Sequence, residues 1–213
     1  MRLPFIPTGG ACRVCGRDVT PFRGEFLCED CRAHPPRFDR LASALRFEGE
    51  ARRMTLDFKF NSHLWMRDDF ADWLEAAVRA RFDLAAIDAI VPMPISVWHR
   101  LDRGFNQSRV LAFALARRFS RRLLAGALGR TGRFRRQSGL NEDERRENVK
   151  GTFICRAPEL VRGRTLLVID DIVTTGATLS ECADTLKAAG AARVWCATLA
   201  RTVRESSSKI PNP

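Results

Sequence analysis

An α/β fold with a mostly parallel sheet is the fold class that this sequence predicts. Short apolar runs of strand length alternate with longer stretches of helical periodicity, the pattern of successive βα units. The best buried run, Leu166–Ile169, leads into a polar, glycine-containing turn and then a helix. Ligands gather at such places, beyond the carboxyl ends of parallel strands. A third observation sets the first 37 residues apart: they hold four cysteines, are rich in Gly, Pro and Arg, and lack sustained periodicity.

The elements follow in order. After His34-Pro35-Pro36, a linker signal, Ala42–Phe47 reads as a strand and a helical stretch begins near Glu50. Phe70, Trp73, Leu74, Ala77 and Val78 recur at helical spacing. Ile87–Val91 is a buried strand, and Pro92-Met93-Pro94 turns it into a loop. A helix is expected over Gln107–Phe119, with Asn106 as its cap and Val110, Leu111, Ala114 and Leu115 inward. Residues 129–151 are polar and charged and predict a long mobile loop, with a short helix around Glu142–Glu147. A helix over Thr175–Ala189 should bury Leu179, Cys182, Ala183 and Leu186 and stop at Gly190. Val194–Leu199 is the last strand. The expected division is a ribbon over 1–37, an α/β domain over 38–204 and a disordered tail over 205–213.

Composition narrows the class. The 213 residues carry 36 Lys+Arg against 25 Asp+Glu, a net charge of +11. Such an excess favours a polyanionic partner or a phosphorylated ligand. No stretch approaches the ~20 apolar residues of a membrane span, so no membrane insertion is expected. The N-terminus lacks the pattern of a signal peptide, which argues for a cytoplasmic location.

Cys12, Cys15, Cys28 and Cys31 spell C-x2-C-x12-C-x2-C. Two such turns can each offer two thiolates to one tetrahedral ion, and zinc is the expected metal. Four thiolates close the coordination shell, so the role is structural, and His34 is a bystander. Cys155, Cys182 and Cys196 read as small buried hydrophobes.

The stretch LLVIDDIVTTGATL, Leu166 to Leu179, carries the chemistry. Apolar strand residues deliver Asp170 and Asp171, and Thr174, Thr175, Gly176, Ala177 and Thr178 open a helix. Backbone N–H groups at a helix start bind anions, and glycine lets the backbone come close to a phosphate. Paired carboxylates accept from vicinal hydroxyls and help to hold Mg2+. A phosphorylated sugar suits both halves.

This stretch resembles the phosphoribosyl-pyrophosphate (PRPP) loop of type I phosphoribosyltransferases. Together with VPMPISVWHRLDRGFNQS (Val91–Ser108), QSGLNEDERRENVKGTF (Gln137–Phe153) and the four-cysteine module, the chain is similar to the ComF family. Phe134 stands where that family commonly has Thr. The resemblance implies a type I phosphoribosyltransferase-like parallel sheet with helices on both faces, preceded by a zinc ribbon. It implies Mg2+-PRPP as ligand, transfer of the phosphoribosyl group to an unknown acceptor, or the handling of single-stranded DNA with the DNA-uptake machinery of natural transformation. Asp170 and Asp171 take the ribose hydroxyls, Thr174 to Thr178 the 5′-phosphate, and Pro94–Arg103 the pyrophosphate. Arg133–Lys150 is the matching hood. Arg103 and Arg145 are the further residues expected at the chemistry. Purine-salvage relatives carry an acid where this chain has Val173, which disfavours purine salvage.

Two features remain. Arg117–Arg136 holds eight Arg and no acid, and reads either as a nucleic-acid track or as a solvated face. Trp65, Trp73 and Trp195 are expected in or near the core, whereas Trp98 falls in the pyrophosphate loop.

Overall fold

The computed structural model describes residues 3–7, 10–18, 26–60, 64–95, 104–131 and 149–202. Five parallel strands form the sheet: β1 (Arg40–Arg46), β2 (Ala89–Pro92), β3 (Arg122–Leu123), β6 (Thr165–Val173) and β7 (Arg193–Arg201). Their order is β1-β7-β6-β2-β3. A separate antiparallel pair, β4 (Leu128–Arg130) and β5 (Phe153–Cys155), closes the base of the stretch expected as a loop. Neither β3 nor this pair was legible, because arginines and glycines dilute their apolar pattern. The expected helix over Glu142–Glu147 lies outside the described residues, as does the tail.

Strand β6 shows how the core is divided. Leu166 and Val168 join one buried cluster, and Leu167 and Ile169 join the other. This is the two-residue alternation of a strand covered on both faces. The first helix, α1 (Glu29–Ala33), belongs to the cysteine-rich segment; one face of the sheet carries α2 (Gly49–Phe60), α3 (Arg67–Arg81) and α4 (Gln107–Arg118) through Phe58, Phe70, Leu74, Leu111 and Leu115. The other carries α5 (Ala177–Ala188) through Leu179, Cys182, Ala183 and Leu186, which are the four residues expected to face inward. In α4 the buried face is rotated from expectation: Ala112 and Ala116 are buried, while Val110 and Ala114 are half-buried. Asn106 caps α4 as expected, its Oδ1 accepting from Arg109 N at 3.2 Å.

The tryptophans separate. Trp195 is buried and stacks on Phe82, centroids 5.0 Å apart. Trp73 packs against Phe70 and Phe5. Trp65 is not core: it is 72% exposed, on the short turn between α2 and α3. Among the described residues no helix is long and apolar enough to cross a membrane.

Candidate functional site

The paired acids owe their position to unequal neighbours. On one side β6 runs beside β7 as far as Val173↔Arg201. On the other, β2 ends at Pro92, opposite Ile169. Asp170 and Asp171 therefore lie inside β6 rather than just beyond it, yet past the end of β2, where that flank of the sheet opens. Asp170 Oδ1 accepts from Ser108 Oγ at 3.0 Å and from Asp171 N at 2.9 Å. Asp171 Oδ1 accepts from Ile172 N at 2.7 Å. The start of α4 and the strand's own backbone thus orient both carboxylates.

The loop after β6 is two residues longer on the helical side than expected. The helix begins at Ala177, not Thr175, and Gly176 precedes it at φ 83°, ψ 1°. That left-handed conformation suits glycine. Thr174 is exposed, and Thr175 Oγ1 accepts from Ala177 N at 3.3 Å. Gly176, at the cap position, has no side chain to cap the helix, and the first-turn N–H groups beyond Ala177 gather at the loop, the arrangement that suits an anion.

Arg130 is the site residue that sequence reasoning passed over, counting it only within a basic run. It ends β4, its guanidinium lies 5.1 Å from the Phe153 ring centre, and its Nε donates to Pro94 O at 3.0 Å. Burial pulls its pKa below the ordinary value, against the opposing charge of Asp170. The loop after β2 thus holds a cation within electrostatic reach of the first acid. Other arginines of the run serve the fold: Arg118 pairs with Asp72 and Glu75, and Arg121 donates to Leu84 O. Asn106 Nδ2 donates to Met93 O at 3.0 Å and ties the RGFNQ segment to the same loop. Arg103, Arg145, Trp98 and Phe134 lie outside the described residues.

The four N-terminal cysteines converge. All are buried, and their Sγ atoms lie within 4.8 Å of one another. The Sγ atoms of Cys15 and Cys28 are 3.7 Å apart, close to the ~3.8 Å edge of a tetrahedron with Zn–S bonds of ~2.3 Å. The donor set and the spacing fit one tetrahedral ion. Packed together, the sulfurs shift one another's pKa. Hydrogen bonding with Cys15, then Cys28 and Cys31, drives Cys12 far down, and the bond with Cys12 drives Cys31 far up.

Comparison with known proteins places this constellation. The chain is 31% identical over 197 residues to the DNA utilization protein YhgH of Escherichia coli O6:H1, covering 90% of this chain and 84% of the relative. It is 27% identical over 194 residues to competence protein F of Haemophilus influenzae, covering 89% and 84%. The chain belongs to the ComF family. A model described as the phosphoribosyl transferase domain matches residues 106–211 of this ComF chain, which includes the acids and the loop. The fold is accordingly type I phosphoribosyltransferase-like. A solved allosteric regulatory enzyme of purine biosynthesis superposes with a TM-score of 0.42 at 17% identity, over 62% of this chain and 25% of its own, too slight a likeness to argue from.

Two cavities flank the phosphate-type loop of the ComF chain. One, of about 390 Å3, is bordered by Arg37, Lys150, Thr175, Gly176, Ala177 and Ser180. That is the size of a small-molecule site. The other, of about 40 Å3, lies between the loop and the cysteine module. Neither is bordered by Asp170 or Asp171.

Proposed function

We propose that this chain binds PRPP with Mg2+ at the open end of β6 and serves the handling of single-stranded DNA. One observation carries the first half. Two carboxylates past the end of β2 adjoin a left-handed glycine that opens a helix. A sugar phosphate needs both. Asp170 and Asp171 accept from the ribose hydroxyls and share in holding Mg2+. Thr174 to Thr178 take the 5′-phosphate through backbone N–H and hydroxyl groups. Arg130 faces the negative charge that gathers on departing pyrophosphate, joined by Arg103 and Arg145 from the segments the family resemblance assigns to pyrophosphate and hood. Val173 is apolar and buried, so the chain offers no base where purine salvage would need one. If the phosphoribosyl group is transferred, the acceptor is not a salvage purine. The cysteine cluster holds structural zinc, whose chemistry is to close a fold too small to build its own core.

The DNA half rests on the names of the relatives and on the net charge of +11. Arg133–Arg136 is the stretch of the basic run to test, because Arg118, Arg121 and Arg130 are engaged within the fold. Calorimetric titration of PRPP with and without Mg2+, on wild type and an Asp170→Asn/Asp171→Asn variant, tests the site. Metal-dependent binding lost in the variant supports it, and no binding by folded, zinc-loaded wild type overturns it. Charge reversal at Arg133–Arg136 should reduce single-stranded DNA affinity and its salt slope. An unchanged salt slope removes that patch from the DNA surface.

A further inference from the structure

The cysteine module does not stand apart from the phosphate loop. The 40 Å3 cavity has Cys15, Cys31 and Arg17 on one side, Thr174, Thr175 and Gly176 on the other, and Arg201 as well. Arg201 is the connection. Its backbone pairs with Val173, the last residue before the loop, and Thr202 N donates to Val173 O at 3.0 Å. Its side chain, 6% exposed, turns into the module and donates from Nη2 to Cys15 O at 2.5 Å. Its Nε is buried without a hydrogen-bond partner among the described residues. Phe38, in the same core cluster as the four cysteines, lies 3.6 Å from where a side chain on Gly176 would begin.

We propose that the cysteine module is a wall of the phosphate cradle and that Arg201 is the positioning residue joining them, so that metal at the cysteines sets the order of Thr174–Gly176. The identity of the ligand rests on the PRPP reading; the coupling itself does not. The physical reason lies in how little regular structure of its own the module has. Among its described residues, outside the thiols, it has a five-residue helix, two isolated bridges of its own, the Arg17–Asp30 ion pair and some loop hydrogen bonds, with Phe5 bridged to Leu45 and Asp18 paired with Arg46 of the domain. Metal fixes the turn that presents Cys15 O. Without it, the buried guanidinium loses the acceptor that orients it, a costly state that reorientation relieves. The strand end that carries the loop then loses its brace. Linkage makes the effect reciprocal: whatever orders the loop also tightens metal binding.

Amide hydrogen exchange of the ligand-free full chain tests this, zinc-loaded against chelator-stripped. Exchange over 172–178 should rise roughly tenfold on stripping, a coupling within the usual range, while the α4 segment 107–118 changes little. Equal change in both segments, or none in the loop, overturns the proposal. Zinc-loaded Arg201→Gln should show the same local rise with its metal retained, and Arg201→Lys, which restores one donor, should fall between. A loop unchanged in a folded, loaded Arg201→Gln protein also overturns it. If that variant does not fold, the loaded and stripped wild type decide. A last arm measures zinc affinity by chelator competition with and without ribose 5-phosphate. Tighter zinc in its presence supports the coupling; ligand binding without any change in zinc affinity overturns it. If loaded wild type does not bind ribose 5-phosphate, the sugar-phosphate reading fails, and exchange still decides the coupling.

Discussion

The cysteine module and the loop after β6 lie side by side and are built by opposite means. The loop springs from β6, whose preceding residues Leu166–Ile169 are fully buried between two packed faces. Its geometry is inherited from the domain core. The module has little regular structure of its own, and it is docked by arginines of the domain, Arg46 pairing with Asp18. Arg81 donates to Cys12 O at 2.9 Å and Arg201 to Cys15 O. Its turn also lies hard against β1, where Leu41 N donates to Val14 O at 2.8 Å. The proposed ligand site lies where the core supplies rigidity, and the cysteines that could hold a metal lie where the core does not reach.

That contrast can be broken from either end. The largest effect is expected from Cys12→Ser/Cys15→Ser. It should lose about one zinc per chain and lower the melting temperature by more than ~10 °C, since at this length ~1 kcal/mol moves it ~2–4 °C. Metal analysis and calorimetry check this, and a metal-free variant that melts like wild type would sink the structural role. Next comes Asp170→Asn/Asp171→Asn. Mg2+-PRPP affinity should fall at least ~100-fold, ~2.7 kcal/mol, with the melting temperature nearly unchanged. A stability loss equal to the binding loss would assign the acids to the fold instead.

The glycines sharpen the same comparison. Gly16, at φ 69°, would place a side-chain carbon 2.4 Å from Leu41 O. Gly16→Ala should therefore cost ~2–3 kcal/mol in denaturant unfolding, combining backbone strain with a clash against main chain. Gly176, at φ 83°, has ordinary contacts around it, the nearest at 3.6 Å. Gly176→Ala should cost only ~1 kcal/mol and lower phosphate-ligand affinity more than stability. A larger stability loss at Gly176 than at Gly16 would reverse the assignment of rigid core and docked module.

Much of the site was legible because its signals are local. Four cysteines at C-x2-C-x12-C-x2-C, and two acids before a Thr-Thr-Gly helix start, are contiguous patterns whose chemistry does not depend on distant chain. Helix α5 was readable for the same reason, its inward positions following one clear stripe. Boundaries were less secure. The acids were expected just beyond a strand ending at Ile169, but pairing with β7 carries β6 on to Val173. Arg130 was hidden in a run of arginines, and only the paired strands β4 and β5 set it over Phe153 and against Pro94. Trp65 was expected near the core because large aromatics usually bury area, and the turn between α2 and α3 leaves it outside.

By itself the sequence determined the α/β class, the four-cysteine cluster, the carboxylate pair and the glycine-led helix start, because each is a property of residues near one another in the chain. Only the tertiary structure decided that β1 is an edge strand beside β7, that β2 stops short of the acids, and that Cys15 and Arg201 meet across 186 residues of sequence. Strand order and long-range docking depend on which buried faces fit together, and no local pattern encodes that.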